Sequence, residues 1–268
     1  MHSPSEDDER NHPRRLIERR VPLDAALATA GAKQRYVRRL FSTIADRYDL
    51  ITVLLSFGLD RRWKRRALDF AAPSAGSRAL DLACGTGDIA FGLADRGASV
   101  VGLDVTHRML QLARDRAPTP GAGPGTSDTG SSVFVQGDMM ALPFPDARFD
   151  IVTTGYGLRN VPELAPALQE IHRVLRAGGT LVSLDFNRPS SAVVRAVYLG
   201  YLSVVGGALG WALHRDPDTY RYIPASIRRY SGAAAVTELM RRSGFAEARW
   251  FPVLAGLMAI HVARKDRT

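Results

Sequence analysis

The sequence predicts an α/β protein: a seven-stranded, mostly parallel sheet with helices on both faces and an antiparallel hairpin at its C-terminal end. Three observations carry this. From Arg78 onward, short apolar runs alternate with amphipathic stretches, the pattern of strands connected through helices. Asp81-Leu82-Ala83-Cys84-Gly85-Thr86-Gly87-Asp88 follows one apolar run and precedes a helical pattern that reaches Asp95, which is the layout strand, glycine turn, helix. Glu247 to Pro252 and Leu257 to Ala263 read as two strands joined at Ala255-Gly256, so a hairpin extends five parallel strands to seven.

In chain order, residues 1–34 carry charge runs with little periodicity and read as a mobile basic arm. Residues 35–268 read as one domain. Its first part, 35–70, is a helical cap in two or three segments, with Val37, Leu40, Phe41 and Ile44 at helical spacing. Strands are expected near 78–83, 98–104, 132–136, 149–155 and 179–186, and helices near 87–95, 106–116, 163–175 and 232–243. Residues 118–132, rich in Pro, Gly, Ser and Thr, lack the apolar surface to order themselves and read as a flexible loop. Residues 190–230 read as a helical insertion. Within it, Ala196 to Leu213 is uncharged, contains four glycines, and is flanked by Arg195, His214 and Arg215. A helical pair broken at Gly206-Gly207, buried or covering a pocket, is expected there rather than a membrane span.

The 268 residues are 46% hydrophobic and 24% charged, ordinary for a globular chain able to bury a sizeable core. One cysteine excludes an internal disulfide framework. The net charge of +9 favours anionic partners. No zinc-finger or RNA-recognition signature accompanies it, so nucleic acid is not expected; an anionic membrane surface is the expected partner, with plain solvated faces as the alternative. Residues 1–20 hold no apolar stretch of a secretory signal.

Ligands of an open parallel sheet bind at the carboxyl ends of its strands. Gly85, Thr86 and Gly87 fall at one such end, and Asp104 closes the next apolar run, placed to accept from a ribose diol. Asp138 is placed to accept from an exocyclic amine of adenine, with Met139 packed on the ring, while Gly155 keeps the cleft floor open. Two acids, Asp81 and Asp104, suit a nucleoside bearing a cationic group better than a pyrophosphate. No cluster has metal-ligand spacing, and His172, between apolar positions of a helix, reads as structural.

Asp-x-x-Cys-Gly-Thr-Gly-Asp resembles motif I of class I S-adenosylmethionine-dependent methyltransferases, which implies a Rossmann-like sheet. Further motifs resemble the menaquinone/ubiquinone biosynthesis C-methyltransferases: Tyr48 to Gly58 followed by Arg62-Trp63-Lys64, Gly157-Leu158-Arg159-Asn160-Val161, Arg173 to Gly179, and Asp218 to Arg228. The chain departs from that pattern at Ile51-Thr52 (usually Met-Asn), Asp60 (usually His), Arg176-Ala177 (usually Lys-Pro) and Asp185-Phe186-Asn187 (usually Glu-x-Ser).

The resemblance implies S-adenosyl-L-methionine as cofactor. It also implies methylation of a ring carbon of a reduced prenylated quinone, demethylmenaquinol first; a benzoquinol, a phospholipid amine or another small phenol are the alternatives. Arg159 then stabilises the quinolate oxygen or orients a water, and Asn160 fixes that arrangement. Tyr48 and Asp49 line the cleft, with Asp49 as the candidate base. Such an enzyme is expected in the cytoplasm at the inner face of the membrane, with homo-oligomerisation possible.

Overall fold

In a computed structural model of the chain, the described residues are 23–56, 58–117, 130–215 and 217–268. One seven-stranded sheet organises them: β1 (Arg78–Leu82), β2 (Ser99–Asp104), β3 (Ser131–Gln136), β4 (Phe149–Gly155), β5 (Leu175–Phe186), β6 (Glu247–Val253) and β7 (Met258–Arg264). Their spatial order is β3-β2-β1-β4-β5-β7-β6, and only β7 runs antiparallel to its neighbours. The order reverses between β1 and β4, so a crevice opens at the carboxyl ends of these two strands. The strand expected from residue 179 starts earlier, at Leu175. The β4–β5 register shifts between Phe149 and Ile151, and Gly178, at φ 72°, takes up the irregularity.

Helices cover both faces because buried strand residues alternate between them. Ala79 and Val182 point into a core with Trp63, Leu68, Ile89 and Leu93. Leu80 and Leu181 point into a second core with Leu168, Ile171, Val236 and Met240. The helices of these layers are α4 (Asp60–Ala71), α5 (Asp88–Ala94), α6 (His107–Arg116), α7 (Leu164–Val174) and α10 (Ala233–Arg242).

The cap begins earlier than residue 35. A short α1 (Leu23–Ala26) precedes α2 (Ala30–Ile44), whose N-terminus is capped by Thr29 Oγ1 accepting from Ala32 N. The basic arm therefore ends before Lys33, which donates to the carbonyls of Arg159, at 3.1 Å, and Val161. Residues 1–22, and the expected loop as far as residue 129, lie outside the described residues. The cap continues in α3 (Tyr48–Leu55).

The insertion holds one correction. Ala192–His214 is a single helix, α8, unbroken at Gly206-Gly207, followed by a 3₁₀ turn Pro217–Tyr220 and α9 (Tyr222–Arg229). Gly206 serves close approach rather than a break: a Cβ there would lie 3.1 Å from Tyr220 Cβ. Nor is the helix buried throughout, since Val193, Val197, Val204 and Trp211 are each about 70% exposed.

His261 of β7 is fully buried, with Nε2 at 3.1 Å from the Ala233 carbonyl. A carbonyl only accepts, so Nε2 carries the proton, and Nδ1 has no partner. Burial pushes the imidazole pKa down from 6.5 to about 4. The unfolded chain then binds more protons between these values. The His261 contribution is complete above pH 6.5 and is lost as pH falls toward 4, up to about 3 kcal/mol. Urea unfolding of the wild type and of His261→Leu should differ in pH slope over this window, the variant being flatter.

Candidate functional site

The glycine turn is shaped by backbone geometry. Ala83, Gly85 and Gly87 all have positive φ (50°, 55° and 92°), and Gly87 starts α5. Asp104, at the end of β2, fixes the turn: its Oδ2 accepts from Gly85 N at 3.0 Å and its Oδ1 from Thr106 N at 2.7 Å. Burial pushes this carboxyl upward, while the backbone donors oppose the shift. Each oxygen keeps a lone pair for a further donor. A Cβ on Gly85 would meet only the Tyr48 ring, at 3.9 Å, so the space above the turn is open beneath that ring.

Three neighbouring cavities share walls here. A narrow cleft of about 90 Å³ is lined by Gly85, Asp104, Asp138, Met139, Gly155 and Asn160. A smaller hollow of about 30 Å³ beside the turn is lined by Lys64, Asp81, Gly85, Thr86 and Asp88. An apolar cavity of about 620 Å³ lies under α2, α3, α8 and α9 and is lined by Phe41, Ile51, Arg159, Phe186, Val194 and Tyr222, among others. Tyr48 and Tyr156 border all three. Burial pushes the Tyr48 hydroxyl up to about 12.

The residues fit S-adenosylmethionine. Asp138 Oδ2 accepts from the Gln34 amide, which presents the same kind of N–H donor as an exocyclic adenine amine, while Oδ1 accepts from Met140 N at 2.9 Å. Gln34 and Phe41 of α2 lie across the cleft and make it narrow. Asp81, facing the smaller hollow, accepts from Thr153 Oγ1 at 2.7 Å, and burial raises its carboxyl to about 7. A cationic ammonium in that hollow would hold it ionised. Cys84 is buried in the turn, and burial pushes its thiol up, which makes it unreactive.

On the acceptor side, Arg159 is a buried cation. Its Nε lies 3.1 Å from Asp185 Oδ1, Nη1 donates to Ser226 Oγ at 2.8 Å and to Asn160 Oδ1 at 3.1 Å, and the guanidinium sits 4.8 Å from the Phe186 ring centroid. Burial raises the Asp185 carboxyl, and Arg159 opposes that shift. Asn160 also accepts from the Tyr222 hydroxyl at 2.9 Å and donates to the Tyr156 carbonyl at 2.7 Å, so it orients rather than reacts.

The expectation for Asp49 needs correction. It is half exposed and not among the cavity-lining residues. Its carboxylate accepts from Thr86 Oγ1 at 2.7 Å and from Arg116 at 3.1 Å. Asp49 thus ties α3 to the glycine turn. Asp60, Lys64 and Tyr156 also belong to the site, although no sequence motif marks them as functional. Asp60 is buried, accepts from the Tyr156 hydroxyl, and pairs with Lys64 at 2.6 Å; Lys64 reaches Asp88 at 2.8 Å. The departure at Asp60 was the available signal.

The family model described as the ubiE/COQ5 methyltransferase family matches residues 29–265. The chain is similar to a demethylmenaquinone methyltransferase of Thermus thermophilus, 42% identical over 225 residues, covering 83% of this chain and 98% of that protein. It is also similar to the ubiquinone/menaquinone biosynthesis C-methyltransferase UbiE of Azotobacter vinelandii, 36% identical, covering 85% and 89%. Among solved structures, an S-adenosylmethionine-dependent methyltransferase of Thermotoga maritima, described as a possible histamine N-methyltransferase, aligns with a TM-score of 0.59 at 18% identity, covering 86% of this chain and all of that one. A putative methyltransferase of Haloferax volcanii in complex with its activator gives 0.57 at 20%, covering 84% and 97%. At these identities the likeness shows the class I methyltransferase fold alone.

Asp104→Ala would strand two backbone N–H groups, so Asp104→Asn is the cleaner variant: it keeps one acceptor oxygen and removes the charge. Calorimetric titration with S-adenosylmethionine should give a Kd raised roughly 10-fold or more for Asp104→Asn, equivalent to about 1.4 kcal/mol, at unchanged circular dichroism.

Proposed function

Since the chain belongs to the ubiE/COQ5 methyltransferase family, we propose that it methylates a ring carbon of a reduced prenylated quinone, demethylmenaquinol, in quinone biosynthesis. The supporting observation is the apolar cavity of about 620 Å³ that lies beside the cofactor cleft and shares Tyr48 and Tyr156 with it as walls. Its size suits a bicyclic ring with the first part of a tail. Among the described residues lining it, Arg159 carries the charge, and no carboxylate does. That wall favours an acceptor developing negative charge on oxygen and disfavours a cationic phospholipid amine.

S-adenosylmethionine, when bound, supplies an electrophilic methyl group whose bonding electron pair stays on sulfur. The chain's own residues do the rest. Asp104, Asp138 and the glycine turn would hold the nucleoside, and Asp81 would face its cationic end. The cap helices exclude water and hold the acceptor ring in line. Arg159, locked by Asp185, Ser226 and Asn160, stabilises the acceptor oxygen as it becomes anionic.

The acceptor's tail calls for a bilayer, and α8 presents a surface for one. Val193, Val197, Gly200, Val204, Ala208 and Trp211 are exposed and recur at helical spacing, forming one uncharged stripe. Val193 and Val197 also line the apolar cavity, so its mouth opens onto the stripe. The helix is long and apolar enough to cross a membrane. Its inner face, however, packs on Ile227 and the 3₁₀ turn through Tyr198, Leu202 and Gly206. We propose that it lies on an anionic inner leaflet, with exposed Arg47, Arg188 and Arg215 at the rim.

Arg159→Ala should lower turnover by roughly 10²-fold or more with S-adenosylmethionine affinity nearly unchanged. A deletion strain should accumulate demethylmenaquinone by mass spectrometry; accumulation of a demethylated benzoquinone would reassign the acceptor. In flotation with phosphatidylglycerol vesicles at low salt, the protein should float, and Val204→Glu with Trp211→Glu should release it while keeping activity on a tail-less quinol.

A further inference from the structure

The acceptor's hydroxyl proton needs a destination, and Arg159 cannot take it, because a guanidinium stays protonated. Asp49 is tied to the glycine turn. A different group stands where the cofactor cleft meets the acceptor cavity.

Tyr156 directly follows β4 and has φ 60°, a conformation unusual for an aromatic residue and found where a surrounding structure enforces it. Its amide donates to the Leu184 carbonyl at 2.7 Å and the Asn160 side chain holds its carbonyl, so both ends of the strained residue are pinned. The ring borders the acceptor cavity and both cofactor hollows. Its hydroxyl donates to Asp60, the first residue of α4. Asp60 is 3% exposed and is charge-paired with Lys64 at 2.6 Å. Ser56 Oγ supports it from the α3–α4 turn by accepting from its backbone N–H at 3.2 Å.

We propose that Tyr156 and Asp60 form the proton relay of the acceptor step, with Tyr156 as the catalytic residue and Asp60 as the positioning residue that receives the proton through it. This rests on the quinol reading above. The acceptor's O–H bond breaks and its proton bonds to the Tyr156 oxygen as the Tyr156 proton passes to the Asp60 carboxylate. The O–H electron pair remains on the acceptor oxygen and feeds the ring carbon that takes the methyl group; the C–H bond at that carbon then breaks, its electron pair restores the aromatic ring and its proton returns to the acceptor oxygen, so the one proton released overall is the one left on Asp60. Nothing is oxidised or reduced, and no further reactant enters. Lys64 balances Asp60 before transfer and Asp88 afterwards, so the buried lysine never lacks a counter-charge. Arg159, in the wall of the same cavity, stabilises the oxygen that the relay deprotonates. Tyr48 and Asp185 are further ionisable groups acting on the Tyr156 hydroxyl.

The test compares two acceptors of different acidity with the full-length enzyme: a reduced, short-tailed demethylnaphthoquinol, and a ring-fluorinated analogue whose hydroxyl is largely ionised at assay pH. Tyr156→Phe and Asp60→Asn should lower kcat for the first by roughly 10²- to 10⁴-fold, with KM and the calorimetric Kd for S-adenosylmethionine within about threefold. The defect should shrink at least tenfold with the fluorinated acceptor, and Asp60→Glu should recover part of the loss. Tyr156→Phe removes one oxygen and leaves the Asp60–Lys64 pair in place, so it decides the matter if Asp60→Asn does not fold. An unchanged kcat for Tyr156→Phe, or a defect equal for both acceptors, would overturn the relay alone. A wild-type enzyme inactive on both quinols would overturn the acceptor assignment and the relay with it.

Discussion

A buried guanidinium must be paired, and the Arg159–Asp185 contact is the pairing around which the acceptor side is arranged. The two are 5% and 0% exposed at their side chains. Removing one partner of such a pair leaves an uncompensated charge, a cost of about 3–5 kcal/mol. The geometry shows why this cost is met here. Asp185 is held at the end of β5, in a strand bonded on both sides, and accepts from Arg159's own backbone N–H at 3.0 Å. The guanidinium is then aimed by Ser226 of α9 and by Asn160, whose amide also fixes Tyr222 and Tyr156. Elements distant in sequence thus converge on one cation, and the cavity wall inherits its rigidity.

The cofactor side depends on the same handling of buried charge. Asp104 commits its two oxygens to backbone donors of the turn and of the α6 entry, which orders the loops before any nucleoside arrives. Arg116, in the last turn of α6, bridges the Thr86 carbonyl, Asp49 and Asp88. Although partial burial pushes Asp88 upward, Lys64 and Arg116 hold it below the usual carboxylate range. The cap is therefore clamped to the glycine turn by exposed pairs and to the 3₁₀ turn at Leu158–Asn160 by Lys33. Burial, with the Arg159 charge next, lowers the Lys33 pKa to about 8.

The strands and the face-covering helices were legible because apolar alternation and a glycine turn are local signals, and the positions of Asp81, Asp104 and Asp138 at or near the carboxyl ends of strands could be read in the same way. What stayed hidden depends on partners far away in sequence. Asp60 looks like a helix start, and only the fold brings it to Tyr156, ninety-six residues on. Asp49 is one position from Tyr48, yet a helix turns neighbours about 100° apart. Tyr48 faces the cavities and Asp49 faces Arg116. Gln34 fell in the segment read as a basic arm, because its helix is amphipathic only against the cleft it covers.

Glycine pairs in an apolar stretch suggest a broken helix when propensity alone is weighed, since each costs about 1 kcal/mol relative to alanine. In α8 close packing offsets that cost at Gly206. Gly206 lets the Tyr220 turn approach closely, and the buried Tyr198, Leu199 and Leu202 secure the same face. Gly200 lies on the outward stripe, where a Cβ would meet nothing within 4 Å, and its bare backbone leaves the surface smooth. One helix can thus close the cavity with its inner face and offer an apolar exterior beside the mouth. A fully buried hairpin would have satisfied the glycines equally well, but it would have closed the cavity at the side where Val193 and Val197 now line it.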